Sequence, residues 1–318
     1  MSEAPPAQAL SDRRRLHIMT RIDSAAVAEL QRRFRVTLGF GDEAVPLEEV
    51  IDDVEALVVR MGAIENSVLD RASKLRVIVR AGIGLEGIDL AYADELGITV
   101  HNTPGTNSRS VAEHTIALAL AATKDIVEWD TLTRQGQAAR RDEAPVQELY
   151  GKTWGVVGYG RVGREVAAIA RDGLGMRVVA NVRPGFVAEP TGVTVVPQLD
   201  EMLAISDVVS LHVPLTDVTA GLIGSRELGL MRPSAVLVNV ARGAVVDGAA
   251  LLQALCERTI YAAAIDVWDG PYPALGDRLY ETPHLVLAPH RAGRTIEADV
   301  ATGQAVVDQL LTVFGDGQ

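Results

Sequence analysis

GKTWGVVGYGRVGREVAAIARDG, residues 151–173, is the stretch that decides the fold. The apolar run ahead of the glycines reads as a buried strand, and the run behind them as a helix. Between the two stand Gly158, Gly160 and Gly163 in the spacing G-x-G-x-x-G. Gly158 permits the tight turn, Gly160 lets the backbone approach a pyrophosphate, and Gly163 lets helix pack on strand. The helix N-terminus then presents unpaired N–H groups and the positive end of its dipole. A strand-to-helix turn with no ligand is the bland alternative. The strand before and the helix after favour a dinucleotide site.

The same rhythm runs outward in both directions. Downstream, RVVANV (177–182), DVVSLHV (207–213), AVLVNV (235–240), AAAIDVW (262–268) and LVLAPH (285–290) read as strands. LDEMLAIS (199–206), a stretch near Leu228, and GAALLQALCER (248–258) read as the helices between them. Upstream, Leu16–Met19, Ala56–Arg60, Leu75–Arg80 and Ile98–Asn102 are strand-like, and Ala25–Arg33 is helix-like. Such alternation argues for α/β architecture with parallel sheets. Ser108–Glu128 reads as one long helix, with Ser110 and Glu113 spaced as a capping box, and Ile296–Phe314 as a terminal helix.

At 318 residues the chain exceeds a typical single domain, so two are expected. Hydrophobic residues make up 48% and charged residues 23%, which is a globular composition. The net charge of −12 leaves no electrostatic footprint for nucleic acid or for an anionic membrane. No apolar run reaches the length of a membrane span, and the tail with Arg13–Arg15 has no signal-peptide core. The one cysteine, Cys256, fits a reducing, cytoplasmic setting and is expected to fill core space in its helix. No constellation of metal ligands is expected.

The residue ending the strand after the glycine turn sets the choice of dinucleotide. An acid there would bond the ribose 2′-hydroxyl of NAD, but the chain reads Asn181, Val182, Arg183. Arg183 can instead pair with a 2′-phosphate, which predicts NADP in preference to NAD. An ordinary solvated surface arginine is the alternative.

RAGIGLEGID (80–89), NTPGTNSRSVAEH (102–114), the glycine turn, LHVPLTDVTAGLI (211–223), VNVARGAVVD (238–247), AAIDVW (263–268) and APHRAG (288–293) follow in one order. Together they resemble the D-2-hydroxyacid dehydrogenase family, nearest in feel to phosphoglycerate dehydrogenase and hydroxypyruvate or glyoxylate reductase. The resemblance implies two Rossmann-like domains. Residues 1–103 with 290–318 would form a discontinuous substrate domain, and 104–289 the NAD(P)-binding domain. It also implies a homodimer joined through the cofactor domains, with the long helix involved.

Transferring a hydride between a 2-hydroxy acid and a 2-oxo acid requires that a carboxylate be held, a carbonyl polarised and a proton passed. Arg242 matches the family arginine for the first two tasks, and His290 the acid–base, whose imidazole suits neutral pH. Gly82, Ile83 and Gly84 match the loop whose N–H groups hold the carboxylate. Glu86 and Gly87 stand there in place of the usual Asp-Asn. Arg60 matches a position that holds the phosphate end in phosphoglycerate dehydrogenases, though a solvated arginine is as good a reading. For the cofactor, the resemblance assigns Arg161 and Val162 to the pyrophosphate turn. It assigns Val213, Pro214 and Thr219 to the adenosine loop, Val240 and Ala241 to the nicotinamide side, and Gly293 to the same set. Asp266 matches the residue that bonds the carboxamide, and its apolar surroundings favour a ligand role. The remaining histidines, His17, His101, His114, His212 and His284, read as structural.

One departure stands out. The family places a Glu five residues after the Asp of IDV, paired with the acid–base; this chain has Pro271 there. Asp269 is the nearest acid and the candidate stand-in. Two functions follow: a reductase of small 2-oxo acids, or a cofactor-binding sensor or interaction protein with degenerate catalysis. Retention of both Arg242 and His290 favours the enzyme.

Overall fold

The computed structural model describes residues 13–142, 145–182, 192–270 and 278–315. The chain divides into two compact units, 1–107 with 294–318, and 108–293. The seams therefore fall at 107/108 and 293/294, where the sequence suggested 103/104 and 289/290.

The first unit is built on a five-stranded parallel sheet of order β2-β1-β3-β4-β5. Its strands are β1 Arg15–Ile18, β2 Arg35–Leu38, β3 Ala56–Val59, β4 Val77–Arg80 and β5 Thr99–Asn102. β2 escapes sequence reading because RVTL is short and carries no buried residue. β3 and β4 are buried along their whole length, as parallel strands covered on both faces must be. The terminal helix Ile296–Phe314 returns to this unit and packs on the helix Ser24–Arg33. Val306, Val307 and Leu310 complete a core with Leu16, Ile18 and Leu30. The strand order reverses between β1 and β3, where the crevice of an open parallel sheet lies.

The second unit carries a seven-stranded parallel sheet, order β12-β11-β10-β9-β6-β7-β8. The strands are β6 Thr153–Val157, β7 Arg177–Asn181, β8 Thr194–Val195, β9 Val208–Leu211, β10 Val236–Asn239, β11 Ala262–Ile265 and β12 Leu285–Leu287. Here the order reverses between β6 and β9. Trp154 is fully buried, and its indole N–H donates to Ser210 Oγ across that pair of strands at 2.8 Å.

Three expectations need correction. The long helix is broken into Ser108–Thr123 and Ile126–Arg134. Asp125 between them is left-handed, with φ 49°, and its carboxylate accepts the Tyr261 hydroxyl at 2.6 Å. A tertiary anchor thus overrides a helical pattern that local sequence alone supports. The capping box is absent, because Ser110 lies inside the helix and is buried. Glu113 instead accepts from Arg109 Nε at 2.7 Å, one turn earlier. Cys256 is exposed, since Ala250, Leu251, Ala254 and Leu255 form the buried face of its helix. Among the described residues no helix is long and apolar enough to cross a membrane.

Candidate active site

β6 delivers its glycines to the point where the second sheet reverses. Gly158 has φ +92°, and a Cβ there would stand 2.7 Å from the His212 carbonyl oxygen at the end of β9. A Cβ on Gly163 would stand 2.2 Å from the Gly158 carbonyl oxygen, so helix and turn touch backbone to backbone. Gly160 is different: a Cβ there would meet nothing within 4 Å. It caps the helix Arg161–Asp172 without any side-chain hydrogen bond, so the first-turn amides have no side-chain acceptor. Open space over a helix N-terminus, walled by close-packed glycine backbone, fits a pyrophosphate.

The loop that the resemblance assigns to the adenosine side is self-braced. The Thr219 hydroxyl donates to the Pro214 carbonyl at 2.6 Å, and Thr216 N donates to Thr219 Oγ1 at 2.8 Å. Thr219 therefore shapes the loop holding Val213 and Pro214. At the end of β7, Asn181 donates to the carbonyls of Val196 and Pro197, and neither Asn181 nor Val182 is acidic. Arg183 and Pro271 lie outside the described residues.

Arg242 follows β10 in a turn folded by a residue that sequence reading passed over. Buried Asn239 donates from Nδ2 to the Arg242 carbonyl at 2.9 Å and accepts from Ala241 N at 3.0 Å. Gly243 presses this turn against the chain leaving β11: a Cβ there would lie 2.2 Å from Asp269 N. Arg242 Nη1 donates to the Ala241 carbonyl at 2.8 Å, which directs the guanidinium from a braced base.

His290 follows β12, is exposed, and is left-handed with φ 53°. Its backbone N–H donates to the Asp266 carbonyl at 2.7 Å. The next two amides, Arg291 and Ala292, donate to Asp266 Oδ1 and Oδ2 at 2.8 and 2.9 Å. Asp266 is fully buried. Burial pushes its carboxyl up, but the His114 ring and these two amides outweigh that and hold it below the ordinary value. The cost of burying this carboxylate is thus met by the protein itself, which removes the sequence argument that it needs a ligand. Asp269 is exposed and forms no ion pair with His290 among the described residues.

In the first unit, the loop after β4 carries Gly82, Ile83 and Gly84. The Gly82 amide is already used, donating to the Arg80 carbonyl at 2.8 Å, which leaves Ile83 and Gly84 as the donors of the set. The Arg80 side chain braces the loop from below, donating to the carbonyls of Gly84 at 3.1 Å and Gly62 at 2.9 Å. Arg60 follows β3 at the reversal point of its sheet, and its amide donates to Thr20 Oγ1 beyond β1 at 2.9 Å. It is not solvated: its side chain is 12% exposed and Nη1 donates to Asp299 Oδ1 at 2.7 Å. A cluster with metal-ligand chemistry, Asp125, Glu128 and His284, does occur, with its ligand atoms within 4.8 Å of one another. It was not anticipated, because His284 lies far along the chain from Asp125 and Glu128.

The family profile described as D-isomer specific 2-hydroxyacid dehydrogenase, NAD binding domain, matches residues 116–292. D-3-phosphoglycerate dehydrogenase from Methanocaldococcus jannaschii is 38% identical over 292 residues, covering 91% of this chain and 55% of that protein. The chain spans about half the length of the phosphoglycerate dehydrogenases it matches first. Glyoxylate reductase from Thermococcus gammatolerans is 35% identical over 316 residues, covering 96% of this chain and 93% of that one. An NADPH-dependent glyoxylate/hydroxypyruvate reductase from Sinorhizobium meliloti, solved with NADP and malonate, superposes with a TM-score of 0.82 at 28% identity. That match covers 96% of this chain and 95% of the other.

Proposed function

The chain belongs to the D-isomer-specific 2-hydroxyacid dehydrogenase family, and from that premise we propose that it reduces small 2-oxo acids to D-2-hydroxy acids. One observation carries the reading. The glycine turn after β6, Arg242 after β10 and His290 after β12 all leave the carboxyl edge of one parallel sheet, where open α/β sheets bind ligands.

A nicotinamide dinucleotide, when bound, supplies the hydride. The amides of Arg161 and Val162 above Gly160 would hold its pyrophosphate, with Gly158 and Gly163 shaping the turn. Val213 and Pro214 would flank its adenosine side, Val240, Ala241 and Gly293 its nicotinamide side, and Asp266 would accept from the carboxamide. Arg242 holds the substrate carboxylate and polarises the carbonyl oxygen with its guanidinium charge. His290 donates a proton to the carbonyl oxygen as the carbon becomes tetrahedral, and recovers it from solvent afterwards.

NADP is the preferred dinucleotide in this reading. Support comes from the absence of an acid at Asn181 and Val182, from Arg183 next in sequence, and from the NADPH dependence named for the Sinorhizobium meliloti reductase. Glyoxylate and hydroxypyruvate are the substrates that relatives suggest. A homodimer through the second unit is supported by the helix Ile126–Arg134, which buries no residue in the isolated chain. It leaves Ile126 52% and Val127 53% exposed.

The test is a panel of 2-oxo acids with NADPH and NADH, followed by nicotinamide absorbance. Turnover of glyoxylate or hydroxypyruvate is expected, with the tighter dissociation constant for NADPH. Tight NADPH binding with no turnover of any acid would sink the reductase and leave the sensor.

A further inference from the structure

His114 has no assigned task, and its surroundings give it one. It lies in the helix Ser108–Thr123, and its Nε2 is sealed from solvent without a formed hydrogen bond. Asp266 Oδ1 lies 3.4 Å from it. Asp266 is the residue on which the His290 loop hangs: its main-chain oxygen accepts His290 N, and its two carboxylate oxygens accept Arg291 N and Ala292 N. Consecutive amides converging on one carboxylate form an anion nest, here filled by the protein's own side chain.

This arrangement matters because His290 is in a conformation that L-residues avoid, with φ 53°. A residue stays there only where its surroundings over-determine it. The imidazole itself has no carboxylate partner among the described residues, so its direction is set by its backbone. The backbone is set by Asp266, and the direction of the Asp266 carboxylate by what faces it from the helix side. That group is His114, on a separate and largely buried element.

We propose that His114 is a positioning residue: its Nε2, 3.4 Å from Asp266 Oδ1, faces and steadies the carboxylate that holds the His290 loop in its left-handed turn. The Asp266 charge then has two jobs on one group, with the His114 contact on one side and the loop amides on the other. The inference rests on the reading of His290 as the proton donor.

Two volume-filling variants of the full chain separate this role from simple packing. His114→Gln keeps an N–H near the carboxylate; His114→Met fills the space with no donor. The expected result is a kcat on glyoxylate reduced about tenfold or more in His114→Met and within about threefold of wild type in His114→Gln, since small displacements of a reacting group carry large rate penalties. KM for glyoxylate stays within about twofold in both. Hydrogen exchange at the Arg291 and Ala292 amides should quicken in His114→Met and not in His114→Gln. Equal kcat in the two variants overturns the proposal, as does a kcat loss with unchanged exchange at those amides. Should His114→Met not fold, His114→Asn, whose shorter amide falls away from the carboxylate, takes its place. If wild type turns over no 2-oxo acid, the reductase reading fails by itself, and the exchange comparison still decides whether His114 holds the loop.

Discussion

Arg60 Nη1 stands 2.7 Å from Asp299 Oδ1, joining the crevice end of β3 to the terminal helix Ile296–Phe314. Arg294 Nη2 approaches the other oxygen of the same carboxylate at 3.3 Å. A guanidinium that the resemblance assigns to a substrate phosphate is thus already paired. Asp299→Asn should release it and raise kcat/KM for a phosphorylated 2-oxo acid relative to glyoxylate. The pair is only partly exposed, so the same change should cost about 1 kcal/mol, or about 2–4 °C in Tm. An unchanged substrate ratio would show that Arg60 does not meet the substrate.

The glycines of the turn should separate binding from folding. Gly160→Ala places its methyl in open space, so Tm should hold while NADPH affinity falls at least about tenfold through lost approach of the pyrophosphate. Gly163→Ala drives a methyl into the Gly158 carbonyl, and overpacking of that kind costs about 1–3 kcal/mol. Calorimetry and NADPH titration of both variants check the contrast.

His212 gives a pH signature. Its Nε2 pairs with Ser210 Oγ at 2.9 Å, its Nδ1 is buried without a partner, and burial lowers its pKa to about 3. The unfolded chain takes up that proton near the ordinary value of ~6.5. Between these limits the unfolded state binds more protons, so stability falls as pH drops, by up to ~1.4 kcal/mol per unit. His212→Asn should flatten the decline in urea midpoint between pH ~6 and ~4. Parallel declines in the two proteins would contradict it.

Removing the proposed chemistry should spare the cofactor. Arg242→Met and His290→Ala should each lower kcat/KM on glyoxylate by about 100-fold or more and leave NADPH dissociation nearly unchanged. Asp269→Asn should leave turnover within about twofold, since its carboxylate makes no ion pair with His290. Stopped-flow reduction together with fluorescence titration of NADPH reads all three.

Much of this was legible in the sequence, for a physical reason. A parallel strand buried on both faces reads as an apolar run, and a phosphate turn needs glycines at fixed offsets, so GKTWGVVGYGRVG announces its own geometry. Arg242 and His290 were singled out by the resemblance that their motifs, VNVARG and APHRAG, carry. The break at Asp125 was not, because Tyr261, which anchors it, lies on another part of the chain. Nor was β2, too short and exposed to pattern, nor the outward turn of Cys256 in a mostly apolar helix.

The sequence by itself determined the α/β class and the glycine turn of the NAD-binding domain, and singled out Arg242 and His290 as candidates, because each reading depends on residues adjacent in the chain. Only the tertiary structure decided what those residues are joined to. Asp266 lies far from His114 along the chain and well before Arg291 and Ala292, yet its carboxylate meets all three. Arg60 and Asp299 come from nearly opposite ends of the chain and meet at 2.7 Å. Hydrogen bonds and ion pairs reach only a few ångströms, so such partnerships exist only once the sheet has brought its edges together.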